Sequence, residues 1–340
     1  MNLRINSFLV NIILSLFFIS ITGCAARQKV FSLPDKDIFI KTVQPPADKD
    51  ILKLAPDSAE FAMIVDFNAV NKSALKPILK ILIQSFVSID FPQAELFTLL
   101  NSSKQLLLVS GHSQSGNGEF NEEFLIIIKS KTEILSLLKK LKTAYGASTI
   151  DLENREVYEK GNIAATDITE KTLVLGSRNY VQSTILLVNG IGNHLKSSPQ
   201  FKTFSLNKKS AVFKYLKNEH NMFQIINTFS RTGLSFAKDI INSEGTVLLK
   251  NGIDGNISLE MNSEKSASDA KRILSSQWNT LLANPFLKLL SIGWLKTKIK
   301  FSSSGKTVNI KVKLNNSEVN NLNKIITPLL QIQNLMESMQ

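Results

Sequence analysis

From Ile51 onward the chain alternates between two hydrophobic rhythms. Short apolar runs bounded by polar residues, at Phe61–Phe67, Gln105–Ser110, Phe124–Ile128 and Thr172–Gly176, predict strands. Apolar positions spaced three and four apart predict helices over Ala74–Ser85, Lys131–Tyr145 and Asn179–Asn189. The order then recurs. Strands are expected at Ala211–Leu216, Thr246–Lys250 and Asn256–Met261, a helical stretch at Met222–Phe229, and a helix over Ser266–Leu282 with Ser266 as its N-cap.

Laid side by side, NEEFLIIIKSKTEILSLLKKL and DGNISLEMNSEKSASDAKRIL both read as strand, turn and helix. Each follows a strand ending in glycine, LLLVSG or VLLKNG, and each leads to a hairpin and a closing helix. The hairpins are Arg155–Gly176 and the lysine-rich runs LKTKIKF and TVNIKVKL; the closing helices are Asn179–Asn189 and Glu318–Gln333. The expected fold class is therefore α+β, with two similar repeats of mainly antiparallel sheet and packed helices. The repeats span 51–189 and 210–340, joined by 190–209, where Gly190, Gly192 and Ser197-Ser198-Pro199 gather.

Ahead of the repeats the pattern is different. Arg4 precedes an apolar run, Phe8–Ile21, and small residues follow. That order is the order of a secretory signal over residues 1–23. The run is shorter than the roughly 20 residues a membrane-spanning helix needs. Residues 24–50 are polar, of mixed charge and carry Pro34, Pro45 and Pro46, as a tether does.

Cys24 is the single cysteine of the chain and sits where the signal ends. Ile21-Thr22-Gly23-Cys24 resembles the lipobox of bacterial lipoproteins. The resemblance implies cleavage before Cys24, a lipid on its sulfur and anchoring to a membrane of the cell envelope. More than one acyl chain is needed for stable anchoring. Ala25-Ala26 follow where an Asp would imply inner-membrane retention, so the resemblance implies the periplasmic face of the outer membrane in a Gram-negative host. The order of elements, with EKTLVLGSRNYVQSTILLVNG, LKSSPQFK and the strand entry Ala55-Pro56-Asp57, also resembles a family of exported bacterial proteins of unknown function. That likeness implies no catalytic residues.

Charge separates the two halves. Residues 51–189 carry 14 bases and 15 acids, whereas 190–340 carry 20 and 9. No acid occurs between Asp269 and Glu318. In the hairpin around SSSGK, alternation puts Leu295, Ile299, Phe301, Val308, Ile310, Val312 and Leu314 on one face. Lys296, Lys298, Lys300, Lys311 and Lys313 fall on the other, as candidates to contact an anion. Like charges facing each other across strands destabilise a sheet, and surface strands also carry lysines merely to stay soluble. The anions within reach of an anchored envelope protein are phospholipid headgroups, the cell wall and acidic proteins. Nucleic acid is not expected, because no aromatic residues interleave with these lysines.

Signals for an enzyme are weak. Three histidines, His112 in a Ser/Gly-rich loop, His194 in the join and His220 at a helix start, are scattered and form no HExxH pair. SSSGKT has Lys300 where a phosphate-binding loop needs its first glycine, and six Ser-x-x-Lys matches are what abundant serine and lysine produce by chance. No catalytic residue, cofactor or metal is assigned. The expectation is a non-enzymatic binding or structural module. Alternatives are a carrier for a lipid or other apolar ligand, since the chain is 43% hydrophobic with 20 Phe, and, third, an exported serine hydrolase.

Overall fold

The computed structural model describes residues 50–73, 76, 93–114, 120–205, 210–216, 235–249, 251–283, 285, 288 and 291–325. The signal, Cys24, nearly all of the tether, His220 and almost all of the helices expected over Ala74–Ser85 and Met222–Phe229 lie outside these residues. Two compact units divide what is described. Residues 50–68 and 93–205 belong to the first, and residues 69–73 and 76 with those described between 210 and 325 to the second.

The first unit contains β1 (Ala59–Asp66), α1 (Gln93–Ser102), β2 (Ser103–Gln114), β3 (Phe120–Ser130) and α2 (Leu135–Tyr145). It continues through β4 (Ser148–Leu152), β5 (Arg155–Lys160), β6 (Ile163–Thr169), β7 (Thr172–Ser177) and α3 (Arg178–Val188). The strands lie in the order β1-β2-β3-β7-β6-β5-β4, each antiparallel to its neighbours. The strand centres Phe61–Val65, Leu106–Val109, Leu125–Ile128 and Leu173–Leu175 are buried at every position. A strand covered on both faces needs an apolar side chain at each residue, which is why these segments read as unbroken runs. α3 packs against β3, β6 and β7, α1 against β3, and α2 against β5 and β6.

The second unit contains β8 (Ser210–Leu216), β9 (Ile240–Leu248), β10 (Gly252–Met261), α4 (Glu264–Ala283), β11 (Ile299–Ser304), β12 (Thr307–Asn315) and a helix α5 over 316–325. Its sheet runs β8-β9-β10-β12-β11 and is antiparallel throughout. Apart from the β4–β5 hairpin, the two units share one plan. Three antiparallel strands lead to a helix, then to a hairpin whose second strand lies beside the third strand, then to a closing helix. The α+β duplication is thus visible in strand order.

Here alternation is strict. Val308, Ile310, Val312 and Leu314 are buried while Lys311 and Lys313 are exposed. α4 covers the apolar face of β10, β11 and β12 with Ala267, Ala270, Leu274, Trp278 and Leu281, the three-and-four spacing of an amphipathic helix.

Four details differ from the sequence expectation. α4 begins at Glu264, and Ser263, not Ser266, caps it: the Ser266 amide donates to Ser263 Oγ at 3.0 Å. The stretch Arg155–Gly176 is not one hairpin but the last three strands of a four-stranded meander. Its first turn places Glu153 and Asn154 at φ 55° and 60°, the pair of positive angles that a two-residue hairpin loop requires. Gly293–Thr297 is a 3-10 turn, so the lysine-rich hairpin opens only at Ile299. Finally, the described part of the join, 190–205, packs on the first unit. Pro56 bridges to His194, the Leu195 amide donates to the Ala55 carbonyl at 2.7 Å, and Lys196 Nζ lies 2.8 Å from Asp50 Oδ2. Burial pushes Asp50 up, but Lys196 and the Leu52 amide outweigh it and hold the carboxyl below its usual range.

Candidate functional site

Cys24 lies outside the described residues. The five lysines are all described, and the fold separates them. Lys300 and Lys311 stand directly opposite each other across β11 and β12, both exposed. Lys313, two residues along β12, is opposite Asp254 of β10. Lys296 is exposed on the 3-10 turn beside the hairpin.

Lys298 has a different position. It ends that turn in a helical conformation (φ −96°, ψ −20°), off the strand, and its Nζ lies 2.8 Å from Glu318 Oε1. Glu318 also accepts the Asn315 amide at 2.8 Å, while its own amide donates to Asn315 Oδ1 at 2.9 Å. This reciprocal pair is a capping box at the start of α5. The bonds from Lys298 and Asn315 hold the Glu318 carboxyl below its usual range. Lys298 is a structural ion pair, and the basic face consists of Lys300, Lys311 and Lys313 with Lys296 beside it.

Reading across the strands completes that face. One row runs Lys300, Lys311, Asn256 and Thr246; the next runs Ser302, Asn309, Ser258 and Glu244; a third runs Ser304, Thr307, Glu260 and Asn242. Ser258 Oγ donates to Asn309 Oδ1 at 3.0 Å within the middle row. The face therefore grades from lysines to glutamates over three rows. Counting charges along the chain misses this gradient, because Glu244 and Glu260 are distant in sequence from the lysines and come onto the same face only through strand pairing.

The first unit has a polar cluster that sequence reasoning missed. His112, read there as a residue of a Ser/Gly-rich loop, belongs to β2 and is nearly buried, with Nδ1 2.9 Å from Glu60 Oε2. Nearby, Asn179 Nδ2 donates to Glu123 Oε1 at 2.7 Å, and Glu123 is 3% exposed. The Tyr180 hydroxyl donates to the Ser58 carbonyl at 3.4 Å. Burial drives the Tyr180 hydroxyl far above its usual range, and Glu60, Glu123 and Asp57 add to the effect. A side chain at Gly111 would run into that hydroxyl. The cluster joins the start of α3 to the ends of β1, β2 and β3. The signal available in sequence was an acidic pair, Glu122-Glu123, opening an otherwise apolar strand. His194 has a local role, accepting the Ser197 amide at 3.1 Å. Among the described residues no group of three or more His, Cys, Asp or Glu could hold a metal ion, and no helix is long and apolar enough to cross a membrane.

No family model and no curated protein matches the chain. Solved structures do. Crystal form III of TP0453 superposes with a TM-score of 0.52 at 11% identity, covering 83% of this chain and 100% of that one. Crystal form I of the same protein gives 0.49 at 11% identity, covering 83% and 98%. At this identity the likeness of form III is one of fold: the chain shares the α+β architecture of TP0453 over most of its length.

Proposed function

We propose that this is a lipid-anchored bacterial envelope protein that works as a non-enzymatic binding module, holding its second unit against anionic phospholipid headgroups. The observation that carries the reading is the pairing of Lys300 with Lys311 on an exposed sheet face, with Lys313 and Lys296 beside them. Two lysines fixed opposite each other repel, and an anion lying across both removes that cost. The N-terminal signal and the lipobox-like Ile21-Thr22-Gly23-Cys24 support the membrane location. The first unit, near neutral in charge, is left for other contacts.

A lysine close to an anionic leaflet contributes about 1 kcal/mol. The test uses the full chain carrying Cys24→Ala, so that the acyl anchor does not mask the contact, and phosphatidylglycerol vesicles with phosphatidylcholine vesicles as control. Binding to the anionic vesicles should fall with added salt. Replacing Lys300, Lys311 and Lys313 together by Gln should weaken it on the order of a hundredfold. Unchanged binding by that variant, or none by its parent, overturns the reading.

A further inference from the structure

The duplication exposes a missing strand. In the first unit the outer edge of β6 is occupied by β5, with Tyr158 opposite Ala165, Glu159 opposite Ala164 and Lys160 opposite Ile163. β11 holds the place of β6 in the second unit, yet among the described residues it pairs with β12 alone. From the geometry we infer that the free edge of β11 receives an extended, acidic segment of a partner protein as an added antiparallel strand.

The direction of the backbone groups follows from the turn. Gly305 and Lys306 form a two-residue loop, so Ser304 and Thr307 exchange hydrogen bonds and alternate residues repeat the pattern. Ser304, Ser302 and Lys300 thus direct their N–H and C=O groups toward β12, in phase with the Lys313 amide, which donates to the Lys298 carbonyl at 3.0 Å. Phe301 and Ser303 direct theirs outward, and no described residue bonds to them. Unpaired edge groups are the template on which strand addition operates.

Side chains at the edge state what the partner must carry. Lys300 is exposed on the polar face of the edge strand, with Lys311 directly behind it. Half-buried Phe301 lies on the opposite, helix-covered face. An incoming strand that alternates acidic and apolar residues would set its carboxylates beside Lys300 and its apolar groups beside Phe301. A second copy of the chain is disfavoured at this edge, because it would bring another unit with the same excess of positive charge.

This contact uses the backbone edge of β11 and so goes beyond the headgroup reading. The probe is a fluorescent peptide of alternating Glu and Val, with a Lys/Val peptide of equal length as control, titrated against the full chain in detergent. The Glu/Val peptide should bind and the Lys/Val peptide should not. Ser303→Pro removes an outward N–H while leaving the bonds to β12, and should weaken peptide binding about tenfold with vesicle binding unchanged. Lys300→Glu should reverse the preference between the peptides. The inference is overturned if neither peptide binds, if Ser303→Pro or Lys300→Glu has no effect, or if sedimentation shows β11 occupied by a second copy in a dimer that Ser303→Pro dissolves. Loss of vesicle binding with peptide binding intact would instead count against the headgroup reading alone.

Discussion

Glu318 divides its carboxylate between Lys298, whose Nζ lies 2.8 Å from Oε1, and the Asn315 amide, 2.8 Å from Oε2. One side chain thereby ties the 3-10 turn before β11 to the start of α5, and removes one lysine from the basic face.

The pH dependence of that tie follows from its sign. Glu318 holds its proton less tightly folded than unfolded, so its contribution is complete above the ordinary glutamate value of 4.5 and is lost as pH falls through the lowered folded value. Glu318→Ala should cost about 1 kcal/mol at neutral pH, the usual worth of a cap. Glu318→Gln keeps an acceptor for the Asn315 amide and should flatten the acid limb of stability between pH 4.5 and lower values. Chemical denaturation across that range reads both effects.

Gly176 on β7 lies opposite Leu125 of β3, with no room between the strands for a side chain. A Cβ there would meet the Phe124 carbonyl and the Leu125 Cα. Gly176→Ala should destabilise the first unit by about 1–3 kcal/mol, as overpacking does. Gly305→Ala, at a turn with open space but φ 53°, should cost about 1 kcal/mol through backbone strain alone. Thermal unfolding of the two variants separates crowding from strain.

Asn179 and Glu123 test the buried cluster. Asn179→Leu removes one donor from a carboxylate that is 3% exposed, and should cost about 1–3 kcal/mol. Adding Glu123→Leu removes the acceptor as well. The double variant should therefore be less destabilised than the sum of the single variants, which a thermodynamic cycle measures.

Cys24→Ala tests the anchor independently of the fold. The variant should be exported unlipidated and recovered in the soluble envelope fraction, with the circular dichroism of the parent. Retention in the membrane after a high-salt wash would show that the thiol is not the point of attachment.

Element type was legible wherever burial is simple. The unbroken runs of β1, β2, β3 and β7 and the alternation of β12 both announce strands, and their common order with the following helices exposed the repeat. What escaped was set by a few local or cross-strand contacts. Ser263 and Ser266 both suit a helix start, and only the bond between the Ser266 amide and Ser263 Oγ decides which one caps. Leu295 is buried as alternation demands, yet it is buried from a 3-10 turn, because apolar residues two to four apart fit several backbones. The acids that temper the lysine face lie on β9 and β10, invisible to any count along β11 and β12. His112 looked like a loop residue because Ser and Gly surround it, but pairing with β3 carries β2 through to Gln114.

The strands of the two units should also keep different clocks. Amides at Leu107, Leu125, Ile127 and Val174 are hydrogen-bonded within strands sealed on both sides, so deuterium reaches them only when that unit opens as a whole. Amides of β11, which among the described residues pairs on one side only and has serines exposed to its tip, need only a local fray. A strand added along that edge would slow them first.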